Sequence, residues 1–208
     1  MNWKLIIKDI KNQPPLGTYS DWKNQIAKEC FNQCVYCSIH EAQFGGIDHY
    51  HIDHFKPKSI FPALINDILN LFYACPVCNR FKSDDWPGNP NLNSPSYIDP
   101  SKTNYSYLFE LKDNFELNGK YVASRYIILR LYLNRAQLIF ERREALWRSQ
   151  EIKLRKTIND LIVQIGNNDP KYALEVLLRV SMIYSNLLDL EQKKREIRPY
   201  ELLDIRRP

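Results

Sequence analysis

The chain has 208 residues, of which 44% are hydrophobic and 12% aromatic, and its formal net charge is +5. This composition supplies enough apolar surface for a packed core and excludes an intrinsically disordered chain. The length predicts one compact domain with an appendage, or two small domains. We find no N-terminal run of the signal-peptide type and no stretch apolar enough to span a bilayer, so we expect a cytoplasmic protein with reduced thiols.

Charge is distributed unevenly along the chain. Residues 1–119 contain 11 Lys and Arg against 13 Asp and Glu, whereas residues 120–208 contain 18 against 11. A basic C-terminal half can meet nucleic acid or an acidic protein surface. Ordinary helices with solvated charges would give the same excess.

The first half of the chain alternates between predicted helices and short predicted strands. Ser20-Asp21 can cap a helix over residues 22–31, because an acidic side chain satisfies free N–H groups at a helix start. Residues 51–55 alternate in the manner of a strand, and residues 70–74 form a second, more apolar one. A further helix is predicted to begin near Asn79.

The second half begins after a polar, turn-rich stretch that runs to about residue 104. Asn118-Gly119 between apolar flanks predicts a hairpin turn, with residues 120–122 as the returning strand. Helical patterns follow from about residue 123, with a break at residues 166–170. We therefore predict two domains, residues 1–104 and residues 105–208, the second being a platform on which a protein partner could bind.

Four cysteines form two matched pairs, Cys34-x-x-Cys37 and Cys75-x-x-Cys78. Four thiolates suit Zn²⁺ and close its coordination shell, so the predicted site is structural. The alternative is a thioredoxin-type redox pair. Such a pair needs a single Cys-x-x-Cys motif at a helix start in a βαβ unit, whereas this chain has two matched motifs. Cys30 is either a third sulfur near the zinc or, as a small hydrophobe, a buried helix residue.

The segment between the pairs resembles the HNH endonuclease family in its zinc-knuckle form. The resemblance is carried by Asp53-His54 with Pro57 and Lys58, by Asn70-Leu71, and by Cys78-Asn79 with Lys82. It implies an α+β fold with a ββα-metal core, followed here by the hairpin and a helical region. A looser likeness includes Ile98-Asp99-Pro100 and residues 131–135. This longer pattern is similar to the HNH subunits of Septu and retron-associated anti-phage systems, which act beside an ABC-type ATPase.

The resemblance implies a metal-dependent enzyme that hydrolyses phosphodiester bonds in DNA. His54 is the expected general base, since an imidazole is neutral and accepts protons at physiological pH. Asp53 and Asn79 are the expected oxygen ligands of a catalytic Mg²⁺ or Mn²⁺. Asn70 is expected to brace the loop carrying His54 through backbone hydrogen bonds and not to touch the substrate. Adjacent strand residues point to opposite faces, so Asp53 and His54 converge only at a bulge or a strand end.

Several neighbouring residues allow more than one interpretation. Four basic side chains could neutralise backbone phosphates, namely Lys56, Lys58, Arg80 and Lys82. Lys82 could equally be a solvated helix residue. His51 could assist the metal or the phosphate, or lie on the surface, as could His49. His40 has no evident partner.

Two alternatives to a DNA endonuclease remain open on the sequence. The same fold could cleave RNA, or it could hold a nucleic acid or a protein partner without catalysis. Asp53, His54 and Asn79 favour catalysis, because a module that only binds has no need of all three. No nucleotide-binding P-loop is visible, so any dependence on ATP would come from another chain, such as the ATPase that the resemblance implies.

Overall fold

A computed structural model describes residues 3–10, 17–165 and 170–196 of the chain. The α-helices are α1 Lys23–Glu29, α2 Pro76–Lys82, α3 Val122–Arg130, α4 Ala136–Ile165 and α5 Pro170–Glu196. The strands are β1 His51–His54, β2 Leu71–Ala74, β3 Phe109–Leu111 and β4 Leu117–Gly119. This mixture of helices with two small antiparallel sheets confirms the predicted α+β fold class.

The chain divides into two compact units, Met1–Leu138 and Ile139–Pro208. The first unit contains both sheets and the helices α1 to α3. The domain boundary that the sequence suggests between residues 104 and 105 stays a prediction.

A ββα unit forms the centre of the first unit. Strands β1 and β2 pair so that His51 lies opposite Ala74 and His54 opposite Leu71. Every residue of β2 is buried. The following helix was expected near Asn79 but begins at Pro76, because the Cys75 side chain caps it and proline is well suited to the first helical position.

Helix α1 covers this unit and is shorter than predicted. A 3₁₀ turn, Tyr19–Trp22, precedes it. Ile26 and Ala27 are buried on its inner face, where the helix contacts β2. Phe31 and the next residue adopt positive φ angles of 57° and 54°, which ends the helix before the first cysteine pair.

The predicted hairpin exists, but its turn lies elsewhere than expected. The chain turns at residues 112–116, where the Lys112 N–H donates to the Glu116 carbonyl. Phe115 takes the left-handed conformation in that turn, with φ of 63°. The prediction of a turn at Asn118-Gly119 is wrong, since both residues lie within β4 and pair with β3.

The glycine of that dipeptide has a packing function instead. A Cβ atom at Gly119 would lie 2.6 Å from the backbone nitrogen of Arg125. The strand therefore approaches the start of α3 more closely than a side chain would permit. The predicted returning strand at residues 120–122 is also wrong, because Val122 already begins α3.

The second unit contains α4 from residue 139 onward and all of α5. Ion pairs join Glu151 to Lys194 and Arg155 to Glu191, so the two helices run antiparallel. The ends of α4 and α5 flank the predicted break, whose residues 166–169 lie outside the described part of the chain. Among the described residues, we find no helix with the length and apolar character needed to cross a membrane.

Candidate functional site

The four predicted zinc ligands converge in the first unit. The sulfur atoms of Cys34, Cys37, Cys75 and Cys78 all lie within 4.8 Å of one another, and all four residues are buried. The Sγ atoms of Cys37 and Cys75 are 3.7 Å apart. Tetrahedral coordination with Zn–S bonds of about 2.3 Å places sulfurs about 3.8 Å apart, so the cluster fits such an ion.

Backbone contacts hold both cysteine pairs against the ββα unit. The Ser38 N–H donates to the Cys34 carbonyl at 2.8 Å, closing the first knuckle. The Val35 N–H donates to the Tyr73 carbonyl at 3.0 Å and ties that knuckle to β2. The second pair spans the first turn of α2, where the Cys78 N–H donates to the Cys75 sulfur. A metal here would therefore fasten the start of α2 to the segment before β1.

Two residues beside the cluster differ in what they contribute. The guanidinium of Arg135 lies 3.8 Å from the Cys78 sulfur through Nη2, where its charge would offset part of the charge of four metal-bound thiolates. Cys30 is buried but lies outside the cluster, and burial raises the pKa of its thiol to about 11. Cys30 thus has the environment of a core residue.

A cleft of about 330 Å³ opens beside this region. The predicted base His54 and the predicted ligands Asp53 and Asn79 line it together. Two cationic side chains, Lys58 and Arg80, also line the cleft. Strand β1 ends at His54, and at this strand end the two adjacent residues Asp53 and His54 reach one cleft.

The His54 ring is fixed on two sides. Its Nε2 lies 3.0 Å from the carbonyl oxygen of Ile65, and its ring makes an edge-to-face contact with the Tyr19 ring at a centroid distance of 4.8 Å. A carbonyl only accepts hydrogen bonds, so Nε2 carries the proton and Nδ1 keeps a free lone pair. Burial lowers the pKa of His54 below its ordinary value of 6.5, so the ring is neutral at pH 7.

Asp53 is held by two donors behind the cleft. Its Oδ1 accepts from Lys82 Nζ at 3.0 Å, and its Oδ2 accepts from the Tyr36 hydroxyl at 2.6 Å. Lys82 also donates to the His54 carbonyl at 2.7 Å. This lysine is fully buried, so neither earlier expectation, a phosphate contact or a solvated side chain, fits its described position.

Asn70 makes the backbone hydrogen bonds expected of a brace. Its Oδ1 accepts from the Lys56 N–H at 2.7 Å, and its Nδ2 donates to the Lys56 carbonyl at 3.0 Å. A third bond runs from Nδ2 to the Leu64 carbonyl at 3.3 Å. The loop between β1 and the Ile65 carbonyl is thereby tied to the start of β2.

Asn79 and the remaining predicted residues have simpler surroundings. The Asn79 side chain lies on α2, half-buried in the cleft, and makes no hydrogen bond within the described residues. Lys56 lies outside the cleft lining, with Nζ 5.5 Å from the centre of the Phe61 ring. His51 and His49 are exposed and do not line the cleft, and His40 caps a 3₁₀ turn through Nδ1.

Sequence reasoning missed the partners of these residues, although two of them left a signal. Tyr36 lies inside the first Cys-x-x-Cys loop, between two predicted metal ligands, which predicts that it is buried with them. Lys82 follows the buried Cys78 by four residues and so shares its face of α2, which predicts burial. Tyr19 gives no comparable signal in the sequence.

The fold and the site together define a ββα unit with four clustered cysteines that could hold a metal ion and a cleft lined by a histidine, a carboxylate and an amide. Residues 34–85, about a quarter of the chain, match the family model described as HNH endonuclease. No curated protein and no solved structure matches the chain. The comparison supports the predicted HNH family, with the general properties of a nuclease-type domain that binds metal and nucleic acid.

Proposed function

We propose that this protein is a metal-dependent endonuclease that hydrolyses phosphodiester bonds in DNA. The observation that carries the proposal is the state of His54. Its Nε2 is hydrogen-bonded to the Ile65 carbonyl at 3.0 Å, which leaves Nδ1 as a proton acceptor. The same cleft contains two side chains with oxygen atoms that can bind a metal, Asp53 and Asn79, and two cationic side chains, Lys58 and Arg80.

The residues of the cleft divide the chemistry among them. His54 Nδ1 accepts a proton from water as the water oxygen bonds to phosphorus and the bond from phosphorus to the 3′ oxygen breaks. Lys58 and Arg80 bind the phosphates beside the reacting group. The products implied by the family resemblance are a 5′-phosphate and a 3′-hydroxyl. Asn70 acts at a distance by fixing the loop that carries the Ile65 carbonyl.

The donor set fits a hard divalent cation. Asp53 offers a carboxylate and Asn79 an amide oxygen, and both line a cleft wide enough for waters and a phosphate. Mg²⁺ or Mn²⁺ held by these two residues would stabilise negative charge on the phosphate and on the leaving oxygen. For the cysteine cluster we propose Zn²⁺, since four thiolates match its preference.

Cleavage assays on the purified chain test the proposal directly. With Mg²⁺ or Mn²⁺, the protein should nick plasmid DNA, and His54→Ala should slow nicking by about 10²-fold or more while the zinc content stays unchanged. A structured RNA of similar length, digested side by side, distinguishes a deoxyribonuclease from a ribonuclease of the same fold. Binding of DNA without cleavage of either polymer would instead favour the non-catalytic module.

We also propose that the enzyme is the effector of an anti-phage defence system and acts with an ABC-type ATPase. The resemblance to Septu and retron-associated subunits suggests this partner. Support comes from α5, which exposes large apolar side chains on the face away from α4, among them Leu174, Leu178 and Met182, each at least 60% exposed. Exposed apolar patches of this kind mark protein contacts.

Co-purification tests this partnership. An ATPase encoded beside the gene should be retained by the wild-type chain and lost with Leu174→Ser/Leu178→Ser/Met182→Ser. Full activity of the isolated chain, with no ATPase gene nearby, would contradict the proposed partnership without affecting the proposed chemistry.

A further inference from the structure

Lys82 is the most deeply buried charged group beside the candidate metal site. It is fully buried, and its ammonium lies 3.0 Å from Asp53 Oδ1. A second bond of 2.7 Å to the His54 carbonyl prevents it from turning away from Asp53. The carboxylate expected to bind a divalent cation is therefore already paired with a fixed cation of the protein.

The charge balance of the donor set follows from this pairing. Asp53 contributes one negative charge, which Lys82 offsets, and Asn79 is neutral. Among the described residues that line the cleft, the only other anionic side chain is that of Asp84, which is exposed. Such a set attracts a divalent cation weakly, because affinity for Mg²⁺ and Mn²⁺ rises with the number of anionic oxygens.

A phosphate in the cleft changes this balance. It brings negative charge and further oxygen ligands into a cleft whose lining includes the cations Lys58 and Arg80, which attract it. The divalent cation then has a charged ligand that Lys82 does not contact.

We propose that Lys82 is a built-in counter-cation of the metal site, so that a divalent cation binds tightly only together with the phosphate of the nucleic acid. The inference rests on the proposed function, since it concerns the same cleft. It identifies Lys82 as a positioning residue that acts through Asp53. Metal and DNA binding must then be coupled, and each must strengthen the other by the same factor.

Titration with Mn²⁺, followed by electron paramagnetic resonance, measures this coupling without any turnover. The protein is the zinc-loaded full chain with His54→Ala, which leaves DNA intact and retains both oxygen donors. We expect a DNA duplex to raise the Mn²⁺ affinity by about ten-fold or more. In the reverse titration, saturating Mn²⁺ should raise the affinity for DNA by the same factor. Equal Mn²⁺ affinity with and without DNA would overturn the inference.

A second variant separates the charge of Lys82 from a merely structural role. Lys82→Met added to His54→Ala should bind Mn²⁺ more tightly in the absence of DNA, by about ten-fold, because it removes a repelling charge near the ligand. Lys112→Met, which removes an exposed lysine from the hairpin turn, is the matched control and should leave the affinity unchanged. Weaker binding by Lys82→Met would show a structural role and overturn the inference.

The same experiments distinguish a failure of this inference from a failure of the proposed function. Where wild-type protein cleaves DNA but its His54→Ala form binds Mn²⁺ independently of DNA, the inference fails and the function stands. Where no cleavage occurs and DNA does not promote Mn²⁺ binding, both fail. If Lys82→Met does not fold, Lys82→Gln removes the same charge, keeps a hydrogen-bond donor and takes its place in the Mn²⁺ titration without DNA, where unchanged or weaker binding would overturn the inference.

Discussion

The cysteine cluster and the cleft are two sites of the same ββα unit, and they are built on opposite plans. The cluster has four identical donors, all buried within 4.8 Å of one another, and they leave no open coordination position. The cleft brings together three different candidate functional side chains, those of Asp53, His54 and Asn79. His54 is hydrogen-bonded to Ile65, and Asp53 is hydrogen-bonded to Tyr36 and Lys82. A closed site of this kind stabilises the fold, whereas an open one can take substrate. Mutations in the cluster should therefore affect folding, and mutations in the cleft should affect chemistry.

Loss of one sulfur gives the largest expected effect. Cys75→Ser removes a metal ligand, whereas its hydroxyl can still cap α2, so about one equivalent of zinc should be lost without direct damage to the helix start. Structural zinc contributes roughly 10 kcal/mol or more in small domains, so we expect the ββα unit to unfold. Elemental analysis and thermal denaturation measure both changes.

The other buried cysteine provides the control for that experiment. Cys30→Ala removes a thiol outside the cluster, so it should retain the zinc and lose only about 1 kcal/mol of stability. A Cys75→Ser protein that kept its zinc and its melting temperature would contradict the division between the two sites.

The second effect in size is the loss of catalysis when His54 is removed. General-base catalysis contributes about 10²- to 10⁴-fold, so His54→Ala should reduce the cleavage rate by that factor while zinc content and stability remain close to wild type. His51→Ala is the control, since this exposed histidine lies on the same strand outside the cleft. A similar loss in both variants would indicate that the strand, and not the base, had been damaged.

The same contrast explains what the sequence could predict. The cluster was predictable because the spacing of each Cys-x-x-Cys turn lets both of its sulfurs face one metal ion, whatever structure the chain between the two turns adopts. The residue types of the cleft were predictable from a family pattern, but their partners were not. Asp53 meets Lys82 and Tyr36 only after β1 is packed between α2 and the first knuckle, and such contacts are long-range.

The hairpin shows that a strong local sequence signal can also mislead. Asn-Gly is a strong turn signal, yet Gly119 serves the close approach of β4 to α3. The turn formed instead around Phe115, a residue that rarely adopts positive φ. Tertiary packing therefore overrode a local preference that is worth only about 1 kcal/mol.

A smaller effect should follow from loss of the brace within the cleft. Asn70→Ala breaks three hydrogen bonds and leaves the Lys56 N–H and carbonyl without partners. Unpaired buried groups cost about 1 to 3 kcal/mol each, so we expect a loss of about 2 to 4 kcal/mol in the free energy of unfolding. Cleavage should fall about ten-fold at temperatures where the protein is still folded, because the Ile65 carbonyl no longer fixes His54.

An asparagine in the hairpin turn is a matched control for this change. Asn114 makes one exposed bond to the Glu116 N–H, so Asn114→Ala should change both quantities only slightly. Equal destabilisation by the two variants would mean that Asn70 contributes no more than an ordinary turn residue.

The pH dependence of cleavage should show the smallest effect. Burial lowers the pKa of His54, and the positive charges of Lys58 and Lys82 act in the same direction, against Asp53 and the Ile65 carbonyl. The base must be neutral to accept a proton, so the rate should fall as pH decreases through the pKa of the folded protein. The acidic limb of kcat/KM should therefore have its midpoint below 6.5, the ordinary value for histidine.

Substitution of Lys58 tests the cause of that shift within the open site. Lys58→Met removes one of the charges that oppose protonation, so the midpoint should move upward, toward 6.5, whatever happens to the absolute rate. Cys30→Ala alters a buried residue that does not line the cleft, so it should leave the midpoint unchanged. A wild-type midpoint above 6.5 would show that Asp53 dominates the electrostatics of His54, and the cleft would then favour an imidazolium over a general base.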